Sequence, residues 1–566
     1  MSGLKSKDQI KFYLSLIFLF VCVLSCGYFL FSPLGFVPVP WPDAPSFFLP
    51  WRELAQWPPA FKMHNYAAFV PSMDEANFGT MPALTVVLGM GSSFGLMKIF
   101  SPTLALKVIS ILALVSWACL LWGILVERSP SVKERIIPFI FGIAALWDPT
   151  LRWVTIAIRP EPWLGLIWIL ILRCFWRVSE EKASFSSKDL WIIAGWLALS
   201  AYFHFAAIVF VPAVTVALLP RWDGHFFRVW MLRLVGVGCR TLVFLSPWLI
   251  YCLLNFTIFI EQLSGQFGRL DIANPYFDQF LGSLFNEMGS PVGLPKMFIV
   301  AQVLLWFMIF ILTGRLFLQI YQNIFFRIGG RTDEKDLNSI LLLEFASALA
   351  FWTSFYLFYK KPEAWFVTLP HFLFWPWLGI SWLSFQREKG LGLIGRRLLA
   401  GAVCGFALIS VASSVIQAKN MPPSYRWSIF EDWVDCIDGV LQANIQSAHP
   451  KIWETFLPSL QVDLAVRHPN YHLTRILDYQ DLREKAWRFA QTTDAIIVSS
   501  TVGDYSGGVN AESVTRYSGP VRPGDENIYA QVPFGRDVLQ KLSSLQWDKK
   551  ICQIGVFWAA IATRRN

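Results

Sequence analysis

Lys11–Phe31 reads KFYLSLIFLFVCVLSCGYFLF, and residues 32–48 continue SPLGFVPVPWPDAPSFF. As a helix the first run rises about 30 Å, the thickness of a bilayer's hydrocarbon core. It follows Lys5 and Lys7 and so looks at first like a signal peptide. Its apolar run is longer than a signal core, and no small-x-small cleavage site follows. The sequence predicts a retained helix with a cytoplasmic N-terminus, delivering Asp43 to the outer membrane face.

The rest of the chain agrees with a membrane protein. Of 566 residues, 55% are hydrophobic, 16% aromatic and only 15% charged, where an ordinary soluble domain carries roughly 25% charge. Mean hydropathy is +0.47. These values exclude a plain soluble globule and a disordered chain. The net charge of +9 fits the Lys/Arg excess that orients membrane proteins better than it fits a nucleic-acid partner.

Further apolar runs near 104–126, 136–150, 162–177, 189–203, 205–220, 234–255, 297–318, 338–358, 364–384 and 398–416 bring the expected spans to eleven, with the C-terminus outside. The run 82–100 is apolar but broken by Gly89, Gly91 and Gly95. If it crossed, Arg128, Lys133 and Arg135 would face outward, against the positive-inside rule. It is therefore expected along the outer interface, within a long first outer loop, 33–103. The other expected cytoplasmic loops hold Arg177, Lys182 and Lys188, then Arg221, Arg228 and Arg233, then Arg315, Arg327, Arg331 and Lys335, then Arg387, Lys389, Arg396 and Arg397.

Residues 417–566 read differently. Pro422-Pro423 open the region, 481–493 reads as a helix, and 494–500 and 551–558 read as strands. The expected organisation is a membrane domain, 1–416, and a small extracytoplasmic α/β domain, 417–566. Cys436 and Cys552 are the two cysteines of that domain, and an oxidising compartment leaves a disulfide between them open.

Several residues could carry chemistry. Asp43 stands just beyond the first helix, although an acid at a membrane face is usually only solvated. Arg159-Pro-Glu161-Pro opens an apolar helix; ionisable groups there are costly and are functional candidates, or else a local ion pair. Asp148 and Arg152 concentrate charge in the same loop. Lys360 and Lys361 lie on the side where cations are not expected, so an anion such as phosphate, or simply lipid headgroups, should meet them; His371 follows. His204 sits at a tight outer turn, where a lone histidine is more often a satisfied core residue than a ligand. Gln262, Gln266 and Arg269 share one helical face that lines a polar cavity or only faces water. No Walker, HExxH or CxxC motif occurs, which gives no support to an ATPase, zinc hydrolase or thiol enzyme.

In order and sidedness this constellation resembles the GT-C superfamily of integral membrane glycosyltransferases over roughly 1–416. Trp41-Pro-Asp-Ala-Pro-Ser-Phe-Phe48 is similar to the acidic first-loop motif of the protein mannosyltransferase and aminoarabinose transferase relatives. Pro82-Ala-Leu84 is similar to their juxtamembrane segment. Ile158-Arg-Pro-Glu-Pro162 resembles the second-loop motif of the arabinosyltransferases, and Pro247-Trp-Leu-Ile-Tyr251 a bacterial pattern. One departure is that Asp43 precedes Ala44 where many relatives have an acidic pair. Asp74-Glu75 is such a pair but lies closer to Pro82 than the family spacing.

The resemblance implies an α-helical polytopic GT-C-like fold in a bacterial inner (plasma) membrane and a hexosyl- or pentosyltransferase. The donor would be a sugar on a polyprenyl phosphate, and the acceptor a hydroxyl on a glycan, lipid or protein. Asp43 would be the general base, and Arg159 with Lys360 or Lys361 would stabilise the departing phosphate. Glu161 would orient Arg159, or hold an acceptor or a divalent metal. A transporter or flippase for a lipid-linked or anionic solute is the competing class, and a non-catalytic scaffold a second; a carrier needs its site near mid-membrane.

Overall fold

The computed structural model describes residues 2–32, 51, 62–63, 77–78, 82–91, 96–128, 132–156, 158–180, 185–219, 225–254, 256–257, 260, 295–328, 337–358, 368–385, 391–420, 426–455, 458–475, 493–501, 516–519, 547–555 and 557–564. The helices are α1 (Ser2–Phe31), α2 (Pro82–Gly91), α3 (Pro102–Arg128), α4 (Val132–Leu146), α5 (Pro149–Ile156), α6 (Glu161–Glu180), α7 (Ser187–Phe203), α8 (Phe210–Ala217), α9 (Phe226–Leu254), α10 (Pro295–Ile328), α11 (Leu337–Phe358), α12 (Thr368–Phe385), α13 (Leu391–Asn420), α14 (Trp427–Asn444) and α15 (Pro458–Arg467). Every expected span overlaps one of them.

By length and hydropathy, six described helices can cross a membrane unaided: α1, α3, α9, α10, α11 and α13. A seventh is reached if α5 and α6, bent by 118° at their junction, count as one. Eleven is not reached on this measure. Helices α4, α7, α8 and α12 depend on neighbours to enclose their ends. Helix α2 rises only about 15 Å, too short to cross. Its Gly89 lies under the Trp51 ring, where a Cβ would come within 2.0 Å of the indole.

Inside the bundle, α3, α6 and α12 meet closely because small residues permit it. A Cβ on Gly165 of α6 would fall 2.7 Å from the Phe372 ring of α12, and one on Gly379 of α12 2.8 Å from Leu125 of α3. Aromatic pairs fill the remaining space: Trp117 with Phe372, ring centroids 5.4 Å apart, and Trp168 with Phe210 at 5.0 Å.

Two of the expected loop charges, Arg135 and Arg315, are instead buried within helices. Arg315 is inside α10, which continues past the expected end of that span. It is buried and paired with Glu344 of α11, donates to the Ser384 hydroxyl at 2.6 Å, and lies 4.0 Å over the Phe385 ring. Arg315 falls within the expected span itself, and its pairing with Glu344 lets the bundle bury it.

The C-terminal region forms a six-stranded mixed sheet of β3 (Lys451–Thr455), β4 (His472–Arg475), β5 (Ala495–Thr501), β6 (Arg516–Gly519), β7 (Trp547–Ile554) and β8 (Phe557–Arg564), in the order β4-β3-β5-β8-β7-β6. A separate two-stranded ladder, β1 (Lys62–Met63) with β2 (Asn77–Phe78), precedes α2. Strand β3 is parallel to β4 and β5; β5–β8, β8–β7 and β7–β6 are antiparallel. The single strand expected at 551–558 is in fact the turn of the β7–β8 hairpin, where Gly555 takes φ 61°. Apolar residues on both sides of that glycine hid the turn. The helix expected at 481–493 lies outside the described residues.

Helix α14 covers one face of the sheet, with Phe430 against Phe557 at 5.4 Å, and Cys436 is disulfide-bonded to Cys552 of β7. The unit is seated on the bundle: Trp427 Nε1 donates to the Leu30 carbonyl of α1 at 2.9 Å, and Thr103 of α3 donates its hydroxyl to Asp463 of α15.

Candidate active site at one end of the bundle

The stretch from Asp148 to Glu161 positions most of the buried charge. Asp148 precedes Pro149, the combination that favours a helix start: an acid at the cap and proline at the first helical position. Its Oδ1 accepts from the Thr150 N–H at 2.9 Å and the Leu151 N–H at 3.5 Å. Oδ2 accepts from Trp375 Nε1 at 3.0 Å and lies 3.0 Å from His371 Nδ1. The indole can only donate, and an ionised carboxylate can only accept. With Asp148 ionised, His371 Nδ1 carries the proton and Nε2 is left for another partner. Among the described residues Asp148 is His371's hydrogen-bond partner.

One turn on, the buried Arg152 donates to Ser414 and Gln417 at the end of α13 and stacks 5.8 Å over Phe29, near the end of α1. Helix α5 then stops. Ile158 takes φ 60°, which a β-branched residue adopts only under strain, and the chain turns into α6. In the turn, Arg159 grips Glu161 with two bonds, Nη2 to Oε1 at 2.9 Å and Nε to Oε2 at 3.3 Å, and both residues are buried.

His204 closes α7. Its Nδ1 accepts from the Ala206 N–H at 3.0 Å, and its ring stacks on Phe205. Burial, and then the nearby Arg159 charge, lower its imidazole to about 3. Both effects favour the neutral ring.

Of the expected site residues, Arg159, Glu161 and His204 come together, and His371 joins Asp148. Asp43, Lys360, Lys361, Gln262, Gln266 and Arg269 lie outside the described residues, as do Asp74 and Glu75. Among the described residues no three acids, histidines or cysteines converge as metal ligands, and Glu161 is turned to Arg159. Sequence reading noted Asp148 and Arg152 without giving them a role, and it missed Trp375, Ser414 and Gln417. Trp375 and Gln417 lie in apolar helices, where nothing separates a tryptophan that bonds from one that only packs.

No protein-family model and no curated protein matches the chain. Among solved structures, the chain is similar to ArnT from Cupriavidus metallidurans bound to undecaprenyl phosphate: 12% identity and a TM-score of 0.51 over 96% of this chain and 97% of that one. The Archaeoglobus fulgidus oligosaccharyltransferase tethered to an acceptor peptide matches at 10% identity and a TM-score of 0.46, over 97% of this chain and 88% of that one. Both are GT-C superfamily glycosyltransferases. The ArnT likeness spans both chains nearly end to end, and it gives this integral membrane protein the GT-C fold.

Proposed function

From a chain with the GT-C fold, we propose a membrane glycosyltransferase that moves a sugar from a polyprenyl-phosphate donor to an acceptor hydroxyl at the extracytoplasmic face. The observation that carries the reading is where the charge gathers. Asp148 and Glu161 open α5 and α6, His204 closes α7, His371 lies in the first turn of α12 and Arg152 meets the end of α13, so these groups gather at helix ends and not at mid-height, where a carrier keeps its site. ArnT, of the same fold, holds undecaprenyl phosphate in its crystal, which supports a lipid-phosphate donor.

In this reading Asp43 takes the proton of the acceptor hydroxyl as that oxygen attacks the anomeric carbon. The bond from that carbon to the phosphate oxygen breaks, and the polyprenyl phosphate leaves with its charge. Arg159, Lys360 and Lys361 stabilise the developing anion. Glu161 sets the plane of the Arg159 guanidinium, and the Asp148-bound His371 offers Nε2 to the same space.

Incubating the purified protein with candidate polyprenyl-phosphate sugars and measuring released polyprenyl phosphate tests the proposal. Asp43→Asn should lower release by about 10²–10⁴-fold, the usual worth of a general base, with an unchanged melting profile. Activity within a few-fold of wild type rejects Asp43, and Asp74 and Glu75 become the next bases to test. A carrier would release no lipid phosphate from any donor.

A further inference from the structure

The opposite end of the bundle carries a different feature. Helix α4 runs from Arg135, in its first turn, to Leu146, two residues before Asp148. Arg135 is thus about 20 Å from the candidate active site along the helix. Its side chain is 4% exposed, and among the described residues its Nε and Nη1 are enclosed without a hydrogen-bond partner.

A buried guanidinium with unfilled N–H groups is among the costliest arrangements a bundle can hold. Its place makes it costlier. Arg135 is the fourth residue of α4, and its Cα–Cβ bond leans toward the first turn, where backbone N–H groups also have no intrahelical partner and the helix dipole is positive. Lys133 and Glu134 precede Arg135 in the same turn, and Glu127, in α3, is turned to Arg173 at 3.6 Å. A second guanidinium, Arg396 of α13, is held 5.9 Å over the Trp382 ring, and Trp382 packs on Phe141 of α4 at 5.3 Å.

We propose that the first turn of α4 and Arg135 form a binding site for a phosphate-bearing anion, at the end of the bundle away from the candidate active site. A helix N-terminus and a guanidinium fork are both suited to phosphate oxygens. The phosphate comes either from an acidic phospholipid headgroup of the adjoining leaflet or from a free phosphate compound. The site is independent of the glycosyltransferase reading.

The test uses the full chain in three settings: phosphatidylcholine nanodiscs, discs that also contain phosphatidylglycerol, and phosphatidylcholine discs with millimolar inorganic phosphate against chloride of equal ionic strength. Melting temperature is the readout. A rise with phosphatidylglycerol alone assigns a headgroup, and a rise with inorganic phosphate assigns a free anion. Arg135→Gln should lose the response and weaken titrated binding by at least about tenfold, the lower value of a charge-assisted bond. In plain phosphatidylcholine it should melt at or above wild type, since an uncompensated charge is gone. Arg135→Lys keeps the charge without the fork and should respond weakly; it takes the place of Arg135→Gln if that variant does not fold. A wild type indifferent to both phosphates overturns the proposal. So does a glutamine variant, or in its absence a lysine variant, that responds as strongly as wild type.

Discussion

At the scale of single residues, Asp148 does the most with one side chain. It starts α5, fixes the tautomer of His371 and holds Trp375, joining two segments far apart in sequence, α5 and α12. Asp148→Asn keeps the size but puts an NH₂ where one oxygen accepted. We expect a loss of about 2–4 kcal/mol, from hydrogen bonds to a charged group at about 1.5–3 kcal/mol each, read as a lower melting temperature of the purified protein.

Arg159 poses a different question, because Glu161 already holds two of its nitrogens. If it also meets the donor phosphate, Arg159→Ala and the Lys360→Ala/Lys361→Ala double change should each weaken donor use by roughly 10–150-fold, the worth of a charge-assisted bond at 1.4 kcal/mol per decade. Acceptor kinetics should move little. Arg159→Lys should not fully rescue, since lysine lacks the planar fork. If Arg159 serves only Glu161 and the lysines touch only headgroups, Arg159→Ala shows up as lost thermal stability and the lysine changes leave donor kinetics as they were. Measuring both quantities on the same variants separates the two.

At the scale of elements, α15 and α3 meet through one acid. Asp463 is fully buried, and burial raises its carboxyl to about 7 from 3.8, with the Thr103 hydrogen bond and Arg467 opposing the rise and Glu431 adding to it. Below about pH 4 the folded and unfolded chains both hold this proton. Between pH 4 and 7 only the folded chain holds it, so this group's contribution to stability falls with rising pH and levels off above 7. Asp463→Asn removes that slope. Its melting temperature should gain on wild type from pH 4 to 7 and run parallel above. Parallel curves throughout would show that Asp463 is already ionised in the folded protein.

The elements also show what hydropathy alone could reveal. Helices wrote themselves as apolar runs, and the acid–proline pair before α5 is a local signal. The pairing of Asp148 with Trp375, 227 positions away, is not local and left no trace. The strain at Ile158 is invisible because isoleucine is an ordinary residue in an apolar stretch. The Arg159–Glu161 pair was legible because two residues apart across a helix start is a contact the backbone almost guarantees.

At the scale of the molecule, a helical bundle carries a sheet seated on α1 and α3. The disulfide that holds α14 to β7 joins cysteines 116 positions apart. Closing so long a loop is worth about 5 kcal/mol in the chain-entropy account. Reduction, or a Cys436→Ala/Cys552→Ala double change, should lower the melting of the C-terminal unit and leave that of the bundle nearly unchanged. Scanning calorimetry with and without reductant reads this directly, and a single unshifted transition would show that the bundle alone holds the sheet in place.

Strand β8 is central to the sheet, between β5 and β7, yet it comes after every other described strand in sequence. Before it arrives, the parallel pairs made by β3, β4 and β5 have no link to the β6–β7 ladder. The sheet therefore remains two unjoined pieces until residues 557–564 slide into the gap and close it in one step. A chain broken ahead of Phe557 would bear two open sheet edges, on β5 and β7, a ready mark for a quality-control protease.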